Sequence, residues 1–309
     1  MKKIAGTLHM DREEWLKLRK QGIGGSDAGA VCGLNPYKTA MQVYADKISE
    51  ETEELDNEAM RQGREFEDYV AKRFMEQTGK KVRRANAMFC HEDYPFMLAD
   101  VDRMVVGEPA GLECKTASPY MADKWKDGRI PMHYYIQCLH YMAVCKVRVW
   151  YLAVLIYGRE FKYYRIEWDE AMIADLIRIE KDFWENHVLA GKMPSPDGSR
   201  LADSVISAYY KNSVEGRILP LTGFQEKLVH RQELTEQMER LETEKRQIEQ
   251  ELKLYMGEAE LAENEQFRVS WKSVSSNRLD EKRLKEEQPE VYEKYKKTIF
   301  SRRFQIKVA

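Results

Sequence analysis

No stretch of this sequence is apolar for the ~20 residues that crossing a bilayer requires, and its Met-Lys-Lys start is not followed by an apolar segment of signal-peptide type. Neither a membrane partner nor export is expected, which leaves the cytoplasm as the expected location. The chain also lacks any Cys-x-x-Cys pair. Its five cysteines, Cys32, Cys90, Cys114, Cys138 and Cys145, are odd in number and scattered, which argues against a disulfide framework or a zinc ribbon and for reduced, mostly buried thiols. Internal repeats and low-complexity tracts are missing too. There is no excess charge of one sign: 50 basic against 52 acidic residues leave a formal net charge of -2. That sum decides nothing, because basic patches for phosphate and carboxylates for a metal cancel in the total.

What is present is an ordinary globular composition, with 43% hydrophobic and 33% charged residues in 309. This is enough to bury a core, and the length suggests one domain of ~100–200 residues plus an appendage. Asp11 with Glu14 has the form of a capping box for a helix through Trp15 and Leu18. Three glycines in Gly22-Ile23-Gly24-Gly25 permit a sharp turn, after which Ser26 is placed to cap the next helix. A further helix starts near Thr39, and a long one runs from about Leu55 to Thr78, with Gly79 as its stop. The period then changes. Phe96 to Val106 and Gly111 to Thr116 read as strands of a hairpin turning at Gly107-Glu108-Pro109-Ala110. Pro131 opens a helix through Ala143, Val147 to Ile156 and Glu160 to Glu167 form a strand pair, and a helix from Asp169 to about Leu189 closes the unit.

The breaker cluster Gly191 to Ser199 marks the expected boundary between residues 1–198 and 199–309. Beyond it, Leu234, Met238, Leu241, Ile248, Leu252 and Tyr255 alternate at the four-and-three spacing of a heptad seam, with Lys245 at one seam position, in a helix of about 224–256. Short strands at Phe267–Val274 and Ile299–Val308 are expected around a charged helical stretch.

The chemistry concentrates in the hairpin. Residues two apart in a strand share a face, so Glu113 and Lys115 project together while Leu112 and Cys114 face the other way. Antiparallel pairing would bring Asp102 beside Glu113. Two converging carboxylates without thiol or imidazole ligands suit Mg²⁺ or Mn²⁺, and such an ion activates water and polarises a phosphoryl oxygen for phosphodiester hydrolysis. Lys115 would position or deprotonate that water, or neutralise developing charge. An exposed Glu-x-Lys pair on an edge strand gives the same tripeptide by accident, so the surrounding blocks carry the weight.

Those blocks resemble the YqaJ-type viral recombinases, phage alkaline exonucleases related to the lambda exonuclease, with a PD-(D/E)xK core. Trp15 to Ser26 resembles the family's entry motif, which implies that Arg19 and Ser26 hold the 5′ phosphate of a DNA end. Gly63-Arg64-Glu65-Phe66-Glu67 resembles the helix whose last glutamate helps to hold metal. Leu98 to Asp102 and Gly111 to Lys115 resemble the two catalytic strands, and Gln137 with Tyr141, one helical turn apart, resembles the Gln-x-x-x-Tyr helix. The resemblance implies a metal set of Glu67, Asp102 and Glu113, with Lys115, Gln137 and Tyr141 completing the catalytic group. One departure is Asp100, which stands where the family usually has a small neutral residue near the terminal phosphate.

The implied fold is α/β (α+β): a restriction-endonuclease-like core, a central mixed sheet flanked by helices, followed by a long-helix or coiled-coil extension with small strands. The implied activity is 5′→3′ resection of linear double-stranded DNA, in a phage or prophage context within the bacterial cytoplasm. A single-strand annealing protein of RecT/Bet type would be the partner, and a ring trimer the assembly. A structure- or site-specific endonuclease on the same core and a non-catalytic recombination-partner protein stand as alternatives. A Cas4-like iron–sulfur nuclease would need cysteine ligands that the chain does not arrange. Lys80, Lys81, Arg83 and Arg84 form a basic cluster that suits a DNA track or a solvated face equally. The basic, aromatic tail around Lys294 to Phe304 reads as amphipathic packing.

Overall fold

The computed structural model describes residues 1–50, 57–299 and 301–307. It divides into two compact units, Met1–Tyr210 and Lys211–Ala309. The first opens with β1 (Lys2–Gly6) and α1 (Arg12–Lys20), whose cap Asp11 accepts the Glu14 N–H at 2.8 Å. Two residues of strand, β2 (Ile23–Gly24), run straight into α2 (Gly25–Val31). Ser26 is therefore not the cap. The helix starts as soon as β2 leaves its pairing with the strand at Met97–Leu98, Gly24 becomes the cap, and its N–H is taken by the Asp27 carboxylate at 3.4 Å.

Next come α3 (Ala40–Ile48), closed by a Thr39–Gln42 capping box, and α4 (Glu58–Thr78), capped by Asn57 and stopped by Gly79 at φ +70. The expected α4 start at Leu55 lies outside the described residues. Strands β3 (Val82–Arg84), β4 (Ala87–Cys90), β5 (Met97–Asp100), β6 (Arg103–Val105) and β7 (Ala110–Ala117) follow, then a 3₁₀ segment, Pro119–Trp125. Helix α5 (Met132–Cys145) has Pro131 as its cap rather than its first residue. The pair β8 (Val149–Ile156) and β9 (Glu160–Glu167) leads to α6 (Glu170–Phe183), a π-helical turn at Trp184–Leu189, and α7 (Arg200–Tyr209). Because α7 packs against α3 and buries Ala202, the first unit ends at Tyr210, a helix later than the boundary expected after residue 198.

The strands form a four-stranded sheet, β1-β4-β5-β2, and a five-stranded sheet, β3-β6-β7-β8-β9. The run Phe96–Val106, read from sequence as one strand, is split between them: β5 belongs to the first, β6 to the second, and Asp102 sits where the chain crosses. On one face of the larger sheet, Val70 and Phe74 of α4 cluster with Leu112, Tyr151 and Ala153. On the other, α5 packs with Trp150, Leu152 and Val154. Burying each such side chain contributes roughly 1.5–3 kcal/mol. Gly111 has to be glycine, since a Cβ there would lie 2.3 Å from the Trp150 ring.

The second unit contains α8 (Gln225–Met256), the hairpin β10 (Leu261–Glu263) and β11 (Arg268–Ser270), and, in the stretch expected to be helical, two short helices, α9 (Glu281–Glu287) and α10 (Pro289–Tyr295). The strand expected at Phe267–Val274 shrinks to β11, paired with the unforeseen β10. No strand forms at Ile299 or residues 301–307; Phe300 and Val308 lie outside the described residues.

Candidate active site

Strand β7 lies between β6, antiparallel, and β8, parallel, and its alternation sends Glu113 and Lys115 to the α5 face, beside Leu152 and Val154 of β8. Glu113 is 3% exposed. Its Oε1 accepts from Lys115 Nζ at 2.5 Å and from Gln137 Nε2 at 2.6 Å, and Gln137 Nε2 also reaches the Tyr141 hydroxyl at 3.2 Å. Asp102 turns inward at the sheet crossing, and its Oδ2 accepts the Cys114 N–H at 2.9 Å. The side chain thus takes a β7 donor beyond the last ladder pair, Arg103 with Leu112. Four residues proposed from sequence, Glu113, Lys115, Gln137 and Tyr141, stand in one bonded group, and Asp102 is tied to the same strand through the Cys114 N–H.

The electrostatics of this group favour an added cation. Burial pushes the Asp102 carboxyl well above its ordinary range, and the charges of Glu113 and Glu67 push it further. Burial likewise raises Glu113, with Lys115 pulling it back and Glu67 and Asp100 opposing. Lys115 is held above the usual lysine range: burial works against its charge, but Glu113, Tyr134 and Asp102 outweigh it. It is thus held as a cationic donor to Glu113. Its ammonium also lies 5.1 Å over the Tyr134 ring.

Glu113 Oε2 is buried and has no hydrogen-bond partner. An orphaned carboxylate oxygen in a crowd of carboxylates costs free energy until something positive meets it. Among the described residues no three His, Cys, Asp or Glu side chains enclose an ion by themselves. Glu67, Asp102 and Glu113, the expected metal set, are therefore not gathered into one three-carboxylate cluster.

Glu67 reaches the site by a route the sequence did not show. The buried Arg103 guanidinium pairs with Glu67 and Asp68 and donates to the Asp102 carbonyl at 2.8 Å. Arg103 was missed because its partners lie a whole helix away; the available signal was a lone cation inside an apolar strand, directly after Asp102.

The two residues expected at a DNA end are also together. Arg19 Nη2 donates to Ser26 Oγ at 3.1 Å, and the guanidinium stacks 4.8 Å over Trp15. Trp15 in turn donates its indole N–H to Asp100 Oδ2 at 2.7 Å. Burial raises the Asp100 carboxyl, against the pull of Trp15 and Arg19. Beneath them Asp27 is fully buried: Lys38 and Lys47 each donate to it at 2.8 Å, and Arg19 lies 3.6 Å away. In the basic cluster read as either a DNA track or a solvated face, Lys80 pairs with Glu108 and Arg84 with Asp68, each at 2.6 Å.

The chain resembles solved alkaline exonucleases: LHK-Exo in complex with dAMP superposes with a TM-score of 0.51 at 21% identity, covering 64% of this chain and 98% of that one. A second structure of that enzyme, from Laribacter hongkongensis, gives 0.50 at 19% identity over the same shares. At these identities the likeness shows the fold, the restriction-endonuclease-like core of an alkaline exonuclease. Residues 14–148 match the YqaJ-like viral recombinase domain. The Bacillus subtilis (strain 168) protein YqaJ is 40% identical over 308 residues, 98% of this chain and 97% of its own. The chain belongs to the YqaJ-like viral recombinase family. Among the described residues no helix is long and apolar enough to cross a membrane.

Proposed function

We propose that the protein is a divalent-metal-dependent deoxyribonuclease of the two-metal PD-(D/E)xK type that resects linear double-stranded DNA 5′→3′ for recombination. The observation that carries this reading is the Glu113 carboxylate, fixed through one oxygen by Lys115 and Gln137 and left with the other buried and unbonded beside Asp102. Asp102 and Glu113 would hold Mg²⁺ or Mn²⁺, with Glu67 approaching from α4. When bound, the ion supplies Lewis-acid polarisation of the phosphoryl group and a more acidic water. Lys115, protonated and tethered, orients the attacking water and offsets charge on the transferring phosphoryl oxygens. Gln137 keeps Glu113 in one rotamer, and the neutral Tyr141 phenol, raised by burial and by Glu113, supports Gln137.

Arg19 and Ser26 would receive the 5′ phosphate, which gives the cleavage its polarity. A single-strand annealing protein that takes the exposed strand and a ring-shaped trimer belong to the same proposal and rest on family membership alone. The test compares a linear duplex bearing 5′ phosphates with a closed circle, with Mg²⁺ or Mn²⁺ and with chelator. Metal-dependent loss of the linear duplex alone is the expected result. Loss of the circle overturns the exonuclease, and no degradation with either metal overturns the enzyme.

A further inference from the structure

Helix α8 is continuous over 32 residues. Its seam of Leu234, Met238, Leu241, Lys245, Ile248, Leu252 and Tyr255 is exposed along its whole length, a stripe ~32 Å long at 1.5 Å per residue. The residues beside the seam decide what can lie on it. With Leu234, Leu241 and Ile248 at d positions, and Met238, Lys245 and Leu252 at a positions, one flank is Thr235, Glu242 and Glu249 and the other Gln237, Glu244 and Glu251. Both flanks are acidic and neither holds a base.

Pairing with a second copy is opposed in either direction. In a parallel pair, Glu244 of each helix meets Glu249 of the other and Lys245 faces Lys245; in an antiparallel pair, flanks of the same kind meet, glutamate again to glutamate. Like charges at these positions are the usual means by which coiled coils reject a partner. Within its own helix, Lys245 Nζ lies 3.4 Å from Glu242 and 3.9 Å from Glu249, exposed contacts that are individually weak and that leave the Glu244 and Glu251 flank acidic.

We infer that α8 is a docking surface for a helix of a different protein, apolar along its seam, rich in Lys or Arg on both flanks, and acidic or polar opposite Lys245. The seam supplies affinity, and the four glutamates select a basic partner and exclude self-pairing.

The test uses the full chain in chelator without DNA, so its outcome is separate from that of the nuclease reading. The probe is a synthetic helical peptide of about three heptads with Leu and Ile at the seam, Glu opposite Lys245 and Lys on both flanks; the control carries Glu on both flanks. Fluorescence anisotropy is expected to show binding of the Lys-flanked peptide alone, about tenfold tighter at roughly 50 mM than at roughly 500 mM salt as screening grows. The E242K/E244K/E249K/E251K variant, its helix content checked by circular dichroism, is expected to prefer the Glu-flanked peptide. Equal binding of the two peptides, or none of the Lys-flanked one, overturns the proposal. So does an oligomer of the full chain that L241E/I248E dissociates, since the occupant is then a second copy.

Discussion

Gln137 on α5 donates a 2.6 Å hydrogen bond to Glu113 on β7, so a helix side chain sets the orientation of the strand carboxylate across the layer between them. Lys115 binds the same oxygen at 2.5 Å, and the other oxygen has no partner. One oxygen is anchored and one is presented.

Gln137→Leu removes one of the two donors to the anchored oxygen and roughly keeps the volume. Cleavage of linear duplex is expected to fall by about 10–100-fold, the usual loss when a group that orients a metal-holding side chain is removed. The Mn²⁺ concentration for half-maximal cleavage should rise alongside it, which a metal titration measures. Unchanged metal dependence would show that Lys115 alone orients Glu113.

Asp102→Asn separates stability from function. The amide oxygen can still accept the Cys114 N–H, while the repulsion from Glu113 and Glu67 disappears. In chelator the variant should melt about 2–4 °C higher, the shift that ~1 kcal/mol produces in a unit of this size, and it should cleave nothing. A lower melting temperature would mean that the carboxylates do not repel one another in the folded chain.

The hairpin was legible because strand alternation is local: Glu113 and Lys115 share a face by spacing alone, and Gln137 with Tyr141 by one helical turn. Asp102 was readable as a neighbour of Glu113, yet not as the point where the chain leaves one sheet for the other, since composition is apolar on both sides of the break. Arg103 with Glu67, and Asp27 with Lys38 and Lys47, were hidden because each pair joins elements that meet only after folding. Ser26 was misread as a cap because its type fits one; tertiary pairing of β2 moved the helix start by two residues and released its hydroxyl to Arg19.

Gly25→Ala tests the contact between α2 and the site. A Cβ there would lie 2.5 Å from Tyr141 Cε1, and that ring is backed by Trp150 at 5.3 Å between centroids. The ring has to shift, which costs about 1–3 kcal/mol as an overpacked core does and draws the phenol away from Gln137. Urea unfolding should show the loss, with reduced cleavage in the folded fraction. Full activity would mean that Tyr141 plays no part in holding Gln137.

Asp27 gives the fold a defined acid response. Burial alone would raise its carboxyl, but Lys38, Lys47 and Arg19 hold it well below the ordinary range. A carboxylate lowered on folding adds stability above its unfolded value of about 3.9, and that contribution is lost as pH falls through the folded value. Asp27→Asn leaves Lys47, whose side chain is fully buried, facing a neutral amide, a loss of about 3–5 kcal/mol at neutral pH by the measure of broken buried pairs. The gap in unfolding free energy between the two proteins should be constant above about pH 5 and should shrink below about pH 3.9, where the unfolded carboxylate takes up a proton that the native one refuses, until the native carboxylate is protonated too. Urea titrations across that range measure it. A gap that persists undiminished in acid would mean that the charge of Asp27 contributes nothing and only its shape matters.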